Sequence, residues 1–298
     1  MDIKKFVDRR KALRLSQVKL SDGICTQATL SKFERNGHVP SLTILDQLCS
    51  RLGLTVDELN QVATTSVTHI REQLDAIERE LMMENYQRVL AALNKIEATE
   101  IDAIPLQMQF YYLRGILRSL INREPDEVLF DFSRILNELD ENHETIFTQL
   151  AYVGSGVMYS RRNQLDRAEF YFKKTRKFVR ATLAANASPQ KGNTYLRLLT
   201  ILFYTAQYDA AKKDYSSSNQ LITDGIALCS EKHVTYYLPR LKLLAAQNAI
   251  ESGAQAERVT QLMNEALAFA RINQNEVVEL QVAALRKRFA AMMKQQND

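Results

Sequence analysis

The stretch CTQATLSKFERNGHVPS, Cys25 to Ser41, decides how this chain reads. Leu30 and Phe33 are apolar anchors spaced for one helical turn, and the residues around them are mostly small, polar or basic. Two anchors suffice to fasten a short helix, so most of its surface is left for other contacts. Thr26 can cap the helix N-terminus, and NGHVP breaks the chain after it. Upstream, Ile3, Phe6, Val7, Arg10 and Leu13 recur at helical spacing. Ser16 caps a short second helix, SQVKL, and the Gly of SDGI suits a tight turn. Downstream, Ser41 caps SLTILDQLCSRLG, which stops at Gly53, and Thr55 caps a fifth short helix, TVDELNQV. Short helices in this order, the second and third joined by a tight turn, predict a helix-turn-helix bundle.

Bulk composition extends the helical reading to the whole chain. The 298 residues are 46% hydrophobic and 25% charged, with only 9 Gly and 5 Pro. So few turn formers argue against a sandwich or barrel, while Ala, Leu, Gln, Glu, Lys and Arg favour helix. Net charge is +4, but residues 1–38 alone carry 9 Lys/Arg against 4 Asp/Glu. A basic end on a nearly neutral body points to nucleic acid at that end. Cys25, Cys49 and Cys229 lie far apart without a CxxC pair, which fits a reducing cytoplasm rather than a disulfide scaffold or zinc site. The opening stretch is too charged for a signal peptide, and no apolar run approaches the roughly 18 residues of a membrane span.

Gln17, Thr26-Gln27, LSKFE and the PS that leads into the fourth helix resemble the helix-turn-helix of the phage-repressor (Xre) family, over residues 3–62. In such a domain the third helix enters the major groove by its N-terminal turn. Gln27, Ala28 and Lys32 are the candidate base contacts. A Gln amide can pair bidentately with adenine, Ala28 can touch a thymine methyl, and Lys32 can reach guanine or a phosphate. Arg14, Gln17, Thr29, Ser31 and Arg35 are the candidate backbone contacts, which position without specifying. Plain alternatives stand beside these: Ser31 can bond its own helix, and Lys32 can simply be solvated. The same resemblance implies that Arg10 and Glu34 form a buried ion pair between the first and third helices.

From about Ser66 onward the chain repeats. YVGSGVMYSRRNQLDRAEFYFKKT resembles a tetratricopeptide repeat, with Gly156 and Tyr159 on a first helix and Ala168 and Phe172 on a second. Leu93, Phe132, Phe172, Ile222 and Met263 take corresponding places on second helices at intervals of about 40 residues, one of them nearer 50. The longer interval holds NASPQKGN and YDAAKKDYSSSNQ, expected as loop-rich insertions. A polar-ended helix over about 274–295 is expected to cap the stack. The predicted fold is therefore all-α: a five-helix repressor-type bundle, then five helix pairs and a cap in a right-handed tetratricopeptide-like solenoid. The expected boundaries are 1–63 for the DNA-binding domain, 64–83 for a linker or first repeat helix, 84–273 for the peptide-binding and dimerisation domain, and 274–298 for the capping helix. First helices line the concave face of such a solenoid, and Arg161, Asn193, Arg197, Tyr237 and Asn248 are the candidate peptide-lining residues. Asn can pair with a peptide backbone, and Arg can hold a carboxylate.

This layout resembles the RRNPP family of quorum-sensing regulators, most of all its PlcR- and Rgg-type transcription factors. The resemblance implies a cytoplasmic homodimer that binds a palindromic operator in double-stranded DNA and a short signalling peptide. A second reading keeps the repeats as a scaffold for a protein partner, in a phage or toxin–antitoxin type switch. A peptide-regulated phosphatase inhibitor of the related Rap type fits less well, because of the DNA-binding head.

Catalytic patterns fail on inspection. Gly154-Ser155-Gly156 lacks the GxSxG frame and lies in a predicted helix. His143-Glu144 begins an HExxH that ends on Phe147. No phosphate-binding glycine loop occurs, so neither an enzyme, a metal nor a cofactor is expected.

Overall fold

The computed structural model describes residues 1–184 and 194–297, apart from the side chains of 60–66, 296 and 297. It is helical, without a strand among the described residues, and divides into two units, Met1–Glu72 and Gln73–Asp298.

The first unit contains α1 (Ile3–Ala12), α2 (Gln17–Ser21), α3 (Gln27–Asn36), α4 (Leu42–Arg51) and the start of α5 (Val56–Met82). Each expected N-cap is made. Ser16 Oγ accepts from Lys19 N at 3.1 Å, Thr26 Oγ1 from Thr29 N at 3.2 Å, and Ser41 Oγ from Ile44 N at 3.4 Å. Thr55 and Glu58 form a reciprocal capping box at 3.2 and 2.8 Å. Gly37 and Gly53, at φ 69° and 66°, take the left-handed positions that end α3 and α4. Phe6, Leu20, Leu30, Phe33, Leu45, Leu48 and Leu59 make the core, with Phe6 edge-on to Phe33 at 5.1 Å. The fifth helix is not short. TVDELNQV and the segment after it form one helix of 27 residues, because no Gly or Pro lies between them to interrupt it.

The second unit is a succession of helix hairpins. The C-terminal turns of α5 lead into α6 (Tyr86–Leu93); α7 (Ile104–Leu120) pairs with α8 (Pro125–Arg134), and α9 (Ile146–Arg161) with α10 (Leu165–Ala184). The pairs α11 (Thr194–Ala211) with α12 (Tyr215–Glu231) and α13 (Leu238–Glu251) with α14 (Ala256–Ile272) follow, and α15 (Glu276–Asn297) closes the stack. Leu93, Phe132, Phe172, Ile222 and Met263 fall on α6, α8, α10, α12 and α14, all at most 3% exposed. Val278, Val282 and Leu285 of α15 cover Val259, Leu262 and Met263, which would otherwise meet water.

Glycine supplies close approach more than turning. A Cβ on Gly154 would stand 2.1 Å from the Phe132 ring and one on Gly115 2.6 Å from it, so Phe132 lies where α7, α8 and α9 meet. Gly156 meets Phe172 in the same way at 2.7 Å, and Phe172 stacks on Tyr208 at 4.2 Å. Several turns are instead made by non-glycine residues at positive φ: Asn122, Asn163, Lys213, His233 and Gln274, at 53° to 64°. In each, the next N–H bonds the carbonyl five residues back, at 2.8 to 3.0 Å. One expected insertion is absent: YDAAKKDYSSSNQ closes α11 and opens α12 around a short turn. NASPQKGN lies outside the described residues.

Candidate nucleic-acid interface and repeat groove

The two faces of α3 divide as the sequence suggests. Leu30 and Phe33 are fully buried. Gln27, Ala28, Lys32 and Arg35 are exposed, with Thr29 and Ser31 partly so. Thr29 is tied into the cap, its Oγ1 2.9 Å from Thr26 Oγ1. Arg14 is exposed beyond α1, at φ 52°.

A chain of hydrogen bonds runs behind this surface. Arg10 grips Glu34 through Nε and Nη2 at 2.6 and 2.8 Å, and its Nη1 donates to the Leu15 carbonyl at 2.7 Å. Gln17 Nε2 donates to Glu34 Oε2 at 2.8 Å, and Gln27 Nε2 donates to Gln17 Oε1 at 2.7 Å. The Arg10 and Glu34 side chains are 12% and 5% exposed, so the ion pair is buried and structural, as the resemblance implied. Burial raises the Glu34 pKa, but the Arg10 and Gln17 hydrogen bonds and the Arg10 charge outweigh it, holding the carboxyl below its ordinary value. Gln17 is half-buried, and both ends of its amide are engaged. It therefore orients Gln27 as well as standing at the start of α2. Gln27 keeps its Oε1 and a second N–H for an outside partner, which is what bidentate pairing with a base edge needs.

Arg51 was missed by sequence reasoning. Its Nη1 donates to the Leu20 and Asp22 carbonyls at 3.0 and 2.5 Å, bracing the turn between α2 and α3. Arg9 Nε similarly holds the Leu52 carbonyl at 3.1 Å. Part of the basic character of this end thus closes helix termini. Neither role has a local signature, because each joins residues 29 or more positions apart.

The expected peptide-lining residues that the structure describes are bonded to other side chains, two of them in the core. Arg161 is exposed at the end of α9, donating to Asn122 Oδ1 at 2.9 Å. Arg197 is engaged with Glu78 through Nε and Nη2 at 3.1 and 3.0 Å, and Gln109 also donates to Glu78 at 2.9 Å. Tyr237 is 2% exposed, its hydroxyl 2.8 Å from Thr200 Oγ1. Asn248 is 1% exposed and donates to Ser218 Oγ and Asn219 Oδ1 at 2.9 Å. Tyr237 and Asn248 are therefore core residues as they stand, a correction that follows from helix phase: weak repeats leave open which side of a first helix faces inward. Asn193 lies outside the described residues. Arg161 does border open space, together with side chains the sequence did not single out. A cavity of about 210 Å³ is bordered by Ser160, Arg161, Tyr204 and Gln207, and one of about 120 Å³ by Gln207, Arg240, Gln247 and Gln281.

Gly154-Ser155-Gly156 lies inside α9, and Ser155 Oγ donates to the Ala151 carbonyl at 2.8 Å, so the triplet is a packing feature. Among the described residues no group of three or more His, Cys, Asp or Glu could hold a metal ion, and no helix is long and apolar enough to cross a membrane.

Fold and surface define a helix-turn-helix unit joined in one chain to a stack of helix hairpins. Residues 8–59 match the helix-turn-helix family model. Solved structures with the same fold over the whole chain are PlcR of Bacillus thuringiensis, in complex with the peptide PapR7 and DNA, and the competence regulator ComR. The PlcR complex is 13% identical, with a TM-score of 0.59 and coverage of 94% of this chain and 98% of PlcR. ComR of Streptococcus vestibularis, with its signalling peptide XIP, is 16% identical at a TM-score of 0.63, covering 96% and 97% of the two chains. ComR of S. thermophilus, with DNA and the peptide ComS, is 16% identical at 0.57, covering 95% and 98%. A comparison with curated protein sequences finds no significant match.

Proposed function

We propose that this protein is a sequence-specific DNA-binding transcriptional regulator whose helical repeats bind a short signalling peptide. The observation that carries the reading is α3: buried on Leu30 and Phe33, exposed along Gln27, Ala28 and Lys32, with the Gln27 amide held from behind. The solved relatives in fold, PlcR and ComR, were captured with DNA and with peptides, and this supports the same pairing of partners here. On this reading residues 1–63 contact DNA and 84–273 take up peptide and form a homodimer in the cytoplasm. Two recognition helices about 34 Å apart then meet the halves of a palindromic operator. Peptide that prefers one conformation of the repeats shifts the population toward it, which alters how the DNA-binding units are presented. The protein acts by binding and not as an enzyme.

A binding-site selection on the full chain tests the DNA half. Gln27→Ala should lose about 1–3 kcal/mol of discrimination at one base position while nonspecific binding survives. Arg35→Ala should weaken binding to all sequences and flatten its salt dependence. Indistinguishable profiles for the two variants would refute the assignment of α3. Calorimetry of the full chain with short peptides from spent culture medium tests the other half, and binding only of small metabolites or proteins would refute it.

A further inference from the structure

Arg240 is the least satisfied buried cation among the described residues. It is 5% exposed, and its guanidinium lies 3.9 Å from the centre of the Phe203 ring. Its Nη2 reaches Tyr204 Oη at 3.3 Å and stands 3.5 Å from Glu84 Oε1, while Nη1 has no partner. Glu84 is likewise incomplete: its side chain is 10% exposed and its Oε2 has no partner. The two other buried pairs described above, Arg10 with Glu34 and Arg197 with Glu78, are closed on two atoms each. A planar guanidinium is built for two-point contact with a carboxylate, and here it has one long one.

The cavity of about 120 Å³ that borders on both Arg240 and Glu84 shows what could complete them. Exposed Gln207, Gln247 and Gln281, on α11, α13 and α15, line the same space. Each offers an amide donor and acceptor, the complement of a peptide backbone. Gln207 also borders the cavity of about 210 Å³, so the row of polar groups continues toward Arg161.

We propose that Arg240 is the receptor for the C-terminal carboxylate of the bound peptide, and that Glu84 is a weak internal stand-in which that carboxylate displaces. This rests on the peptide-binding reading and adds the direction of the peptide and the chemical group that anchors it. The peptide end enters beside Phe203, both of its oxygens meet Nη1 and Nη2, and its preceding amides run past Gln247 and Gln207. Glu84 is held near Arg240 at φ 62°, a conformation that Asn or Gly adopts at lower cost. Release from that pairing leaves its carboxylate to water.

Affinity selection on the full chain, read by mass spectrometry, separates the outcomes. Three random short-peptide libraries serve as probes: one without Asp and Glu and with a free C-terminus, its C-terminally amidated counterpart, and an amidated library that includes Asp and Glu. Retention of the first at least about tenfold over the second is expected, the scale of a charge-assisted hydrogen-bonded contact. Glu84→Gln should raise retention of the free-acid library severalfold and leave the amidated one unchanged. Arg240→Gln should remove the difference between them; if that variant does not fold, the libraries and Glu84→Gln decide. Equal retention of the first two libraries overturns the carboxylate assignment and leaves the peptide reading standing. Retention of the third alone overturns it in favour of an acidic side chain. Retention of none overturns both readings.

Discussion

Gln27 and Gln17 are joined side chain to side chain, Nε2 to Oε1 at 2.7 Å, and Gln17 is itself anchored to Glu34 at 2.8 Å. The exposed amide on α3 is thus the outer end of a chain of contacts that begins on Arg10 of α1. Its orientation is set by residues ten and more positions away, so on the proposed reading it is already ordered before it meets DNA.

Gln17→Ala should therefore act on specificity through Gln27. The expected loss at the base position read by Gln27 is about 1 kcal/mol, smaller than for Gln27→Ala. The double variant should be no worse than Gln27→Ala at that position, giving a coupling of about 0.5–1.5 kcal/mol. Quantitative binding to single-base operator variants measures it, and strict additivity would mean that Gln17 touches DNA independently.

Arg10 and Glu34 should govern the stability of the first unit. Removing one partner strands a buried charge, so Glu34→Ala or Arg10→Ala should cost about 3–5 kcal/mol in urea unfolding followed on this unit. Replacing both with apolar residues should cost less than either single change. Since the folded Glu34 pKa is depressed, its contribution is present above the unfolded value and is lost as pH falls through the folded one. Unfolding followed at descending pH should show Glu34→Ala closing its gap to the parent chain in acid.

Asp209 should give the opposite sign. It accepts from Arg176 Nη1 at 2.6 Å, but its Oδ2 is buried without a partner. Burial, opposed by Arg176 and reinforced by Asp214 and Glu169, pushes its pKa up to about 6. A raised folded pKa stabilises below the unfolded value of about 4 and ceases to do so as pH rises through the folded one. The Tm of the parent chain relative to Asp209→Asn should fall between pH about 4 and about 6, then level off. A difference in Tm that stays flat over that range would contradict the assignment.

Gly154→Ala should destabilise the second unit although Ala is the better helix former by about 1 kcal/mol. The added methyl would stand 2.1 Å from the Phe132 ring, and overpacking of this kind costs about 1–3 kcal/mol or more. Phe132→Leu in the Gly154→Ala background should recover part of the loss, as read by thermal unfolding. Failure to recover would place the strain elsewhere than at this contact.

Local chemistry made the first unit legible. The caps Ser16, Thr26, Ser41 and Thr55 and the apolar spacing act within a turn or two of the chain, which a linear reading can see. The repeat period was legible for the same reason, since Phe132, Phe172, Ile222 and Met263 are buried on successive second helices. Mid-helix glycine was a usable signal as well. Gly156 and Gly154, two residues apart on α9, each mark a close approach of an aromatic ring.

By itself the sequence determined most helix starts in the first unit, the pairing of helices in the second, and a short helix at the basic end anchored on two apolar residues. Tertiary structure decided which polar side chains of the repeats face outward, and which arginines of the first unit are spent on closing it. Tyr237 and Asn248 turned into the core, Arg51 closed a turn, and Gln207, Gln247 and Gln281 came to line one cavity from three different helices. Helix formation is governed by neighbours three or four residues apart. The inward phase of a helix in a stack is set instead by packing against helices some 40 residues away, and a single-residue error in phase turns a side chain by about 100°.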